Sequence, residues 1–231
     1  MKKFLFITMG FYTALFADVY ATYEVKAQKE ASLNVVTQGI VATINATVGT
    51  KVEKGTLLLA LNDKEERATL EMAKSEYQFL VAQYKRYENS SEVFDKNTLE
   101  KLRAELDKAK SSMLLSEEKV AKMKLVAPFA GIIAEKNIEI GDMTGSSTKP
   151  LFKLVSYDKK LLLSFDSQFA NKIDVGSNFC FKKEATESQS VCTKISKVYP
   201  VINADTKKLY AEAVGVDLKI GTFGDGTIKT K

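Results

Sequence analysis

An eleven-residue segment occurs twice in this 231-residue chain. Residues 39–49 read GIVATINATVG and residues 131–141 read GIIAEKNIEIG. Offset by 92 positions (39 to 131), the copies agree at the opening Gly, Ile, Ala, Asn and the closing Gly, and Val41 and Val48 correspond to Ile133 and Ile140. An internal repeat constrains a fold before any local propensity does, because like segments face the same burial problem. In each copy the even positions are mostly apolar: Ile40, Ala42, Ile44, Ala46 and Val48, then Ile132, Ala134, Ile138 and Ile140. That period of two predicts a strand with one buried face. Gly39, Gly49, Gly131 and Gly141 bound the copies and supply tight turns. Each copy is followed by another turn and another apolar run, Gly55 then TLLLAL, Gly145 then PLFKLV. Each half is a small β-meander that cannot bury its own apolar face, so the two are expected to fold against each other.

What separates the copies is helical in pattern. From Thr56 to Ala127 there is neither Gly nor Pro, the residues that cost a helix interior about 1 and about 3 kcal/mol. Asn62 with Glu65, or Asp63 with Glu66, predicts a capping-box start. Apolar positions follow at Leu70, Ala73, Tyr77, Leu80, Tyr84, Tyr87 and Phe94. Alternating steps of three and four predict a coiled-coil seam. After the polar break ENSSEVFDKN, Asn97 with Glu100 restarts a cap, and a second seam runs Leu99, Leu102, Leu106, Ala109, Met113, Ser116, Val120, Met123. Two arms of ~28 residues form an antiparallel hairpin roughly 40 Å long at 1.5 Å per residue. Such a hairpin returns the chain to its starting point and brings the distant halves side by side.

Asp18 to Ala27 alternates as a strand. After Pro150 the segments LLLSFD, NFCFKKE, SVCTKISKVYPVI, KLYAEAVGV and GTIKT read as short strands, with a helical turn near Ser167 to Ile173. They predict a small β-barrel. Cys180 and Cys192 flank a polar stretch centred on Thr186 and would face each other across two strands. In an oxidising compartment such a pair is expected to form a disulfide; the alternative is two buried thiols.

Lys2 and Lys3 precede an apolar run from Phe4 to Phe16, with Ala17 offering a cleavage site. This is a secretory signal layout, and 13 residues (4 to 16) are short for a spanning helix. The net charge of +5 includes those two lysines, leaving +3 on the mature chain. Its charges are interspersed, which reads as a solvated surface and not a nucleic-acid footprint. With no His, triads, His general bases and His zinc sites are excluded, and two Cys alone make no structural zinc site. GTKVEKGT lacks phosphate-loop spacing. No catalytic residue, cofactor or metal is expected.

The first half, QGIVATINATVGTKVEKGTLLLAL, resembles the first half-lipoyl motif of periplasmic adaptors, the membrane fusion proteins of the HlyD type. The second, LVAPFAGIIAEKNIEIGD, is similar to their Ala-Pro-Phe-x-Gly signature at Ala127, Pro128, Phe129 and Gly131. KLLLSFDSQFANKIDVGSNF and the stretch from VYPVINADTKKLYAEAV onward are similar to their barrel. The resemblance covers almost all of the mature chain, in family order. It implies an elongated α+β protein: an antiparallel coiled-coil hairpin inserted in a split lipoyl-like β-domain, plus a small β-barrel. The expected divisions are a signal peptide at 1–17, an N-terminal strand joining the barrel at 18–34, lipoyl-like halves at 35–62 and 124–156, the hairpin at 63–123 and the barrel at 157–231. Gly39, Gly49, Gly55, Pro128, Phe129, Gly131 and Gly141 would be the structural residues of the lipoyl motif.

The resemblance also implies a tripartite efflux system. The adaptor would bridge an inner-membrane transporter, RND in preference to ABC, to a TolC-type outer-membrane channel, and would assemble into a hexameric ring in the periplasm. The hairpin tip would meet the channel through Arg86, Tyr87, Ser90, Ser91, Val93 and Phe94; alternatively Tyr87 and Phe94 close the hairpin's own seam. Asn89 and Lys96 stand where many RND adaptors carry Leu and Ser. Two other readings use the same residues. A lipoyl or biotinyl carrier needs a modifiable lysine on a short turn, for which Lys64 is the candidate. A coiled-coil envelope scaffold would have no transport partner.

Overall fold

A computed structural model describes residues 18–89, 96–145, 149–183 and 190–230. The chain begins with β1 (Val19–Ala27), β2 (Glu30–Leu33), β3 (Val41–Ile44), β4 (Lys51–Val52) and β5 (Leu57–Leu61). Helices α1 (Lys64–Glu88) and α2 (Lys96–Lys122) follow. Then come β6 (Lys124–Val126), β7 (Gly131–Lys136), β8 (Phe152–Ser156), β9 (Lys159–Asp166) and a 3-10 turn (Ser167–Lys172). The chain finishes with β10 (Asn178–Phe181), β11 (Val191–Val198), β12 (Lys208–Val214) and β13 (Phe223–Lys229). It divides into two units. One takes the chain up to Gln28 and from Asp158 onward; the other is Lys29–Tyr157.

In the first unit six strands close into a barrel in the order β1-β13-β10-β11-β12-β9. β1 shows the alternation its sequence predicts: Val19, Ala21, Tyr23, Val25 and Ala27 face inward. The first four meet Leu161, Leu163, Phe165, Phe179, Ile195, Ala211 and Ile228 in one core. Phe179 and Phe181 stack within it and Tyr23 meets both at steeper angles, with ring centroids 4.7 to 5.8 Å apart. Closure leaves no free strand edge.

The second unit holds both repeat copies in two sheets, β2-β8-β7-β4 and β3-β5-β6. Ile138 and the partly buried Ile44 lie in one core, with Leu58, Leu59, Ile133, Phe152 and Leu154. Pairing runs between the copies as well as within them. Lys51 pairs with Ile132, and Ile40 bridges Met143, which is the same pairing displaced by one repeat in both partners. Residues 30–33, expected with the barrel strand, instead form β2 and pair with β8, Glu30 opposite Val155.

The expected even-numbered buried face is corrected. Val41 and Ile133 are buried, whereas Ile40, Val48 and Ile140 are exposed. Each copy carries a register shift at the same place, between Val41 and Thr43 and between Ile133 and Glu135. An extra residue in a strand transfers everything beyond it to the opposite face, so no single parity describes either segment. The turn role of the four glycines is also corrected in part. Gly49 and Gly141 take φ of 85° and 92°, the left-handed region that suits glycine. Gly39 and Gly131 do not. Gly131 is needed for space: a Cβ there would stand 2.2 Å from the Val155 carbonyl oxygen.

The helices arise between the sheet strands β5 and β6, which pair antiparallel with Leu59 opposite Leu125. The amide of Leu61 donates to the carbonyl of Met123 at 2.9 Å, so the chain leaves and returns at adjacent points. α1 and α2 pack against each other. Glu65, Glu66 and Thr69 at the start of α1 share a crevice with Ser116 and Lys119 near the end of α2, so the helices run antiparallel. The expected capping boxes are absent. Asp63 precedes α1 without a side-chain cap bond, because its carboxylate accepts from Arg67 Nε at 2.8 Å instead. Asn97 lies inside α2, which has already begun at Lys96.

Candidate functional site

The helix pair is built on the predicted seam. Leu70 and Ala73 are buried and Tyr77, Leu80, Tyr84 and Tyr87 half-buried on α1. On α2, Leu102, Ala109, Ser116 and Val120 are buried, with Leu99, Leu106 and Met113 half-buried. Ser116 tolerates burial because its hydroxyl donates to the Ser112 carbonyl at 3.0 Å. Consuming these side chains along the seam leaves Met72, Phe79, Leu114 and Leu115 exposed. The heptad reading did not single out these four, although their apolar character at non-seam positions was visible. Among the described residues no helix is long and apolar enough to cross a membrane.

Of the expected tip residues, Arg86 is exposed and Tyr87 half-buried in the last turn of α1. The basic Lys85 and Arg86 there also suit the negative end of the helix dipole. Ser90, Ser91, Val93 and Phe94 lie outside the described residues. Lys64 is the first residue of α1 and not part of a β-turn. At the other end of α1, the hydrogen bond from Arg67 holds the Asp63 carboxyl below its usual value.

Gly55 and Ala127 bond across the two halves. The Gly55 amide donates to the Ala127 carbonyl at 2.8 Å, and the Ala127 amide donates to the Thr56 carbonyl at 2.9 Å. The signature residue Pro128 is exposed, while Phe129 packs on the core. A lysine on β8 ties the two strands beside it: Lys153 pairs with Glu30 of β2 at 2.8 Å and Glu135 of β7 at 3.6 Å. The Glu30 hydrogen bond leads in raising its pKa.

In the barrel unit Cys180 and Cys192 stand directly opposite on β10 and β11 and are joined by a disulfide, with Cα atoms 4.0 Å apart. A second tie was not foreseen in the sequence. Lys160 Nζ and the Tyr199 hydroxyl donate to Glu212 Oε1 at 2.6 and 2.7 Å. Burial pushes the Glu212 carboxyl up, but hydrogen bonds from Lys160 and Tyr199 and the charges of Lys160 and Lys197 leave it below its usual value. The same contact with Glu212, with burial, raises the Tyr199 phenol. Among the described residues no group of three or more His, Cys, Asp or Glu could hold a metal.

Residues 29–155 match the CzcB-like, barrel-sandwich hybrid domain family. An uncharacterized protein of Haemophilus influenzae is 23% identical over 184 residues, 79% of this chain and 48% of that protein. The chain thus spans about half the length of this curated relative. A MacA–MexA chimera containing the Pseudomonas aeruginosa MexA α-hairpin domain superposes with a TM-score of 0.83 at 17% identity, covering 94% of this chain and 80% of the chimera. The membrane fusion protein Spr0693 of Streptococcus pneumoniae R6 gives a TM-score of 0.69 at 16% identity, covering 92% and 99%. With more than half of its length matched and its architecture shared, this chain belongs to the CzcB-like barrel-sandwich hybrid family and has the fold of a membrane fusion protein.

Proposed function

We propose that this chain is the periplasmic adaptor of a tripartite efflux system, bridging an inner-membrane transporter of the RND class to a TolC-type outer-membrane channel. One observation supports this above all: paired antiparallel helices leave β5 and return at β6 of a split sandwich. As a coiled coil they form a stiff arm, whose tip can enter another helical bundle while the sandwich stays at its base. Residues 1–17 act as the export signal. Arg86, Tyr87, Ser90, Ser91, Val93 and Phe94 form the channel-facing tip, and six copies assemble as a ring. The role is mechanical and needs no catalytic residue.

In cells, a photo-crosslinker at Ser91 or Phe94 should trap an outer-membrane channel. The same probe at Lys153, far along the sequence in the sandwich sheet, should not. Deleting the gene should sensitise cells to exported drugs or metals. If the tip probe captures no channel and the deletion strain keeps its resistance, the bridging role is wrong.

A further inference from the structure

The outer face of the barrel carries a depression of 610 Å³ over β13, β1 and β9, reaching β12. Its origin is a row of short side chains. Asp225, Thr22, Ser164 and Tyr210 lie opposite one another across four strands. Thr22 and Ser164 in the middle are small, and the Thr22 hydroxyl turns down to the Ser164 carbonyl at 3.5 Å. The row beyond, Phe223, Glu24 and Leu162, rises above them, and Tyr20 walls the other side. Gly224 and its partner Tyr23 complete the lining; a Cβ on Gly224 would stand 2.9 Å from the Tyr23 ring and hydroxyl, so the glycine makes room for that buried side chain.

The lining is aromatic and acidic. Among the described residues no Lys or Arg contributes to it. Phe223 is 82% and Tyr20 63% exposed, much for ring side chains on a closed sheet with no edge to protect. Asp225 has no ion-pair partner among the described residues. Glu24 is paired with Lys26 at 3.2 Å, with both side chains near half exposed. The nearby Lys160 is already held by Glu212. Aromatic faces and carboxylates around a site of drug-ligand size favour a cation with an apolar body.

We propose that this face binds a lipophilic organic monocation, its charge against Asp225 and Glu24 and its rings on Tyr20, Leu162 and Phe223. A neutral glycan would gain nothing from the unpaired Asp225 carboxylate, and an anion would be repelled. The inference goes beyond the bridging role and does not rest on it, because it is read on the purified chain.

Tetraphenylphosphonium is the probe, titrated by calorimetry against the folded full chain, with triphenylphosphine oxide as the neutral comparison. Saturable one-to-one binding is expected for the cation, with affinity falling as salt rises. The neutral compound should bind about tenfold more weakly, and Asp225→Asn should weaken the cation about fivefold. Phe223→Ser, at a side chain the fold leaves exposed, should weaken both compounds. Thr22→Lys should abolish cation binding by placing a like charge on the floor. Absence of saturable binding, equal binding of the neutral compound, or indifference to both Asp225→Asn and Phe223→Ser would overturn the proposal. Equal affinity for a short Lys- and Arg-rich peptide lacking rings would overturn it too, in favour of a basic protein partner.

Discussion

The amide of Gly49 donates to the carbonyl of Ile133 at 2.8 Å. Displaced by one repeat, the same bond recurs: the Gly141 amide donates to the Val41 carbonyl at 3.0 Å. The turn of each copy is therefore closed on the strand of the other. The agreement extends to the turns themselves, where Thr47 and Glu139 amides donate to the side chains of Thr50 and Asp142. Neither copy satisfies its backbone alone, so the sandwich forms only when the helices have brought the second half back.

The repeat is not symmetric at its opening glycines. A Cβ on Gly39 would meet the movable end of Leu61 at 3.1 Å, while one on Gly131 would meet the backbone of Val155. Gly131→Ala should cost about 2–3 kcal/mol and Gly39→Ala under about 1 kcal/mol. Urea unfolding of the two variants checks the order.

The helix seam offers a matched pair. Leu102 is 6% exposed and Leu115 60%. Leu102→Ala should destabilise by about 2–3 kcal/mol through lost burial and the space left behind. Leu115→Ala should stay within about 0.5 kcal/mol. Thermal melts followed by helical circular dichroism separate them.

Glu212 gives the barrel unit a pH dependence. Its folded pKa lies below its ordinary value, so its contribution is fully present above the unfolded pKa of about 4.3 and is lost as pH falls through the folded value. Lys160→Met removes one donor and a charge, and should cost about 2 kcal/mol at pH 7. The gap from the parent should narrow below pH of about 4, where protonation relieves the poorly matched carboxylate. Denaturation at pH 7 and pH 3.5 tests the sign; a gap that widens in acid refutes it.

The Cys180–Cys192 bridge closes a loop with a sequence separation of 12. Replacing both residues by Ser should cost about 2–3 kcal/mol. Alkylation before and after reduction, read by mass spectrometry, should show two thiols only in the reduced sample.

Much of the fold was legible because its signals are local. The seam from Leu70 to Met123 could be read from spacing alone, since a helix repeats every 3.6 residues whatever surrounds it. The tract without Gly or Pro holds both helices together with the flanking β5 and β6, and β1 showed plain alternation. The start of α1 at Lys64 fell within one residue of the expected 63, but its cap was not legible, because Arg67 took the Asp63 carboxylate from the backbone. The parity of Ile40 and Ile132 misled because a bulge leaves no mark in composition. The barrel depression was hidden as well, since Thr22, Ser164 and Asp225 come from three distant segments.

The sequence by itself determined the repeat, the helical tract between its copies and the strand-rich remainder, because periodicity and turn residues act within a few positions along the chain. Tertiary structure alone decided that β2 joins the sandwich while β1 joins the barrel, which face each repeat buries, and which outward side chains share a surface. Those choices depend on strand register and closure, and register is fixed by partners that lie up to a hundred residues away or more.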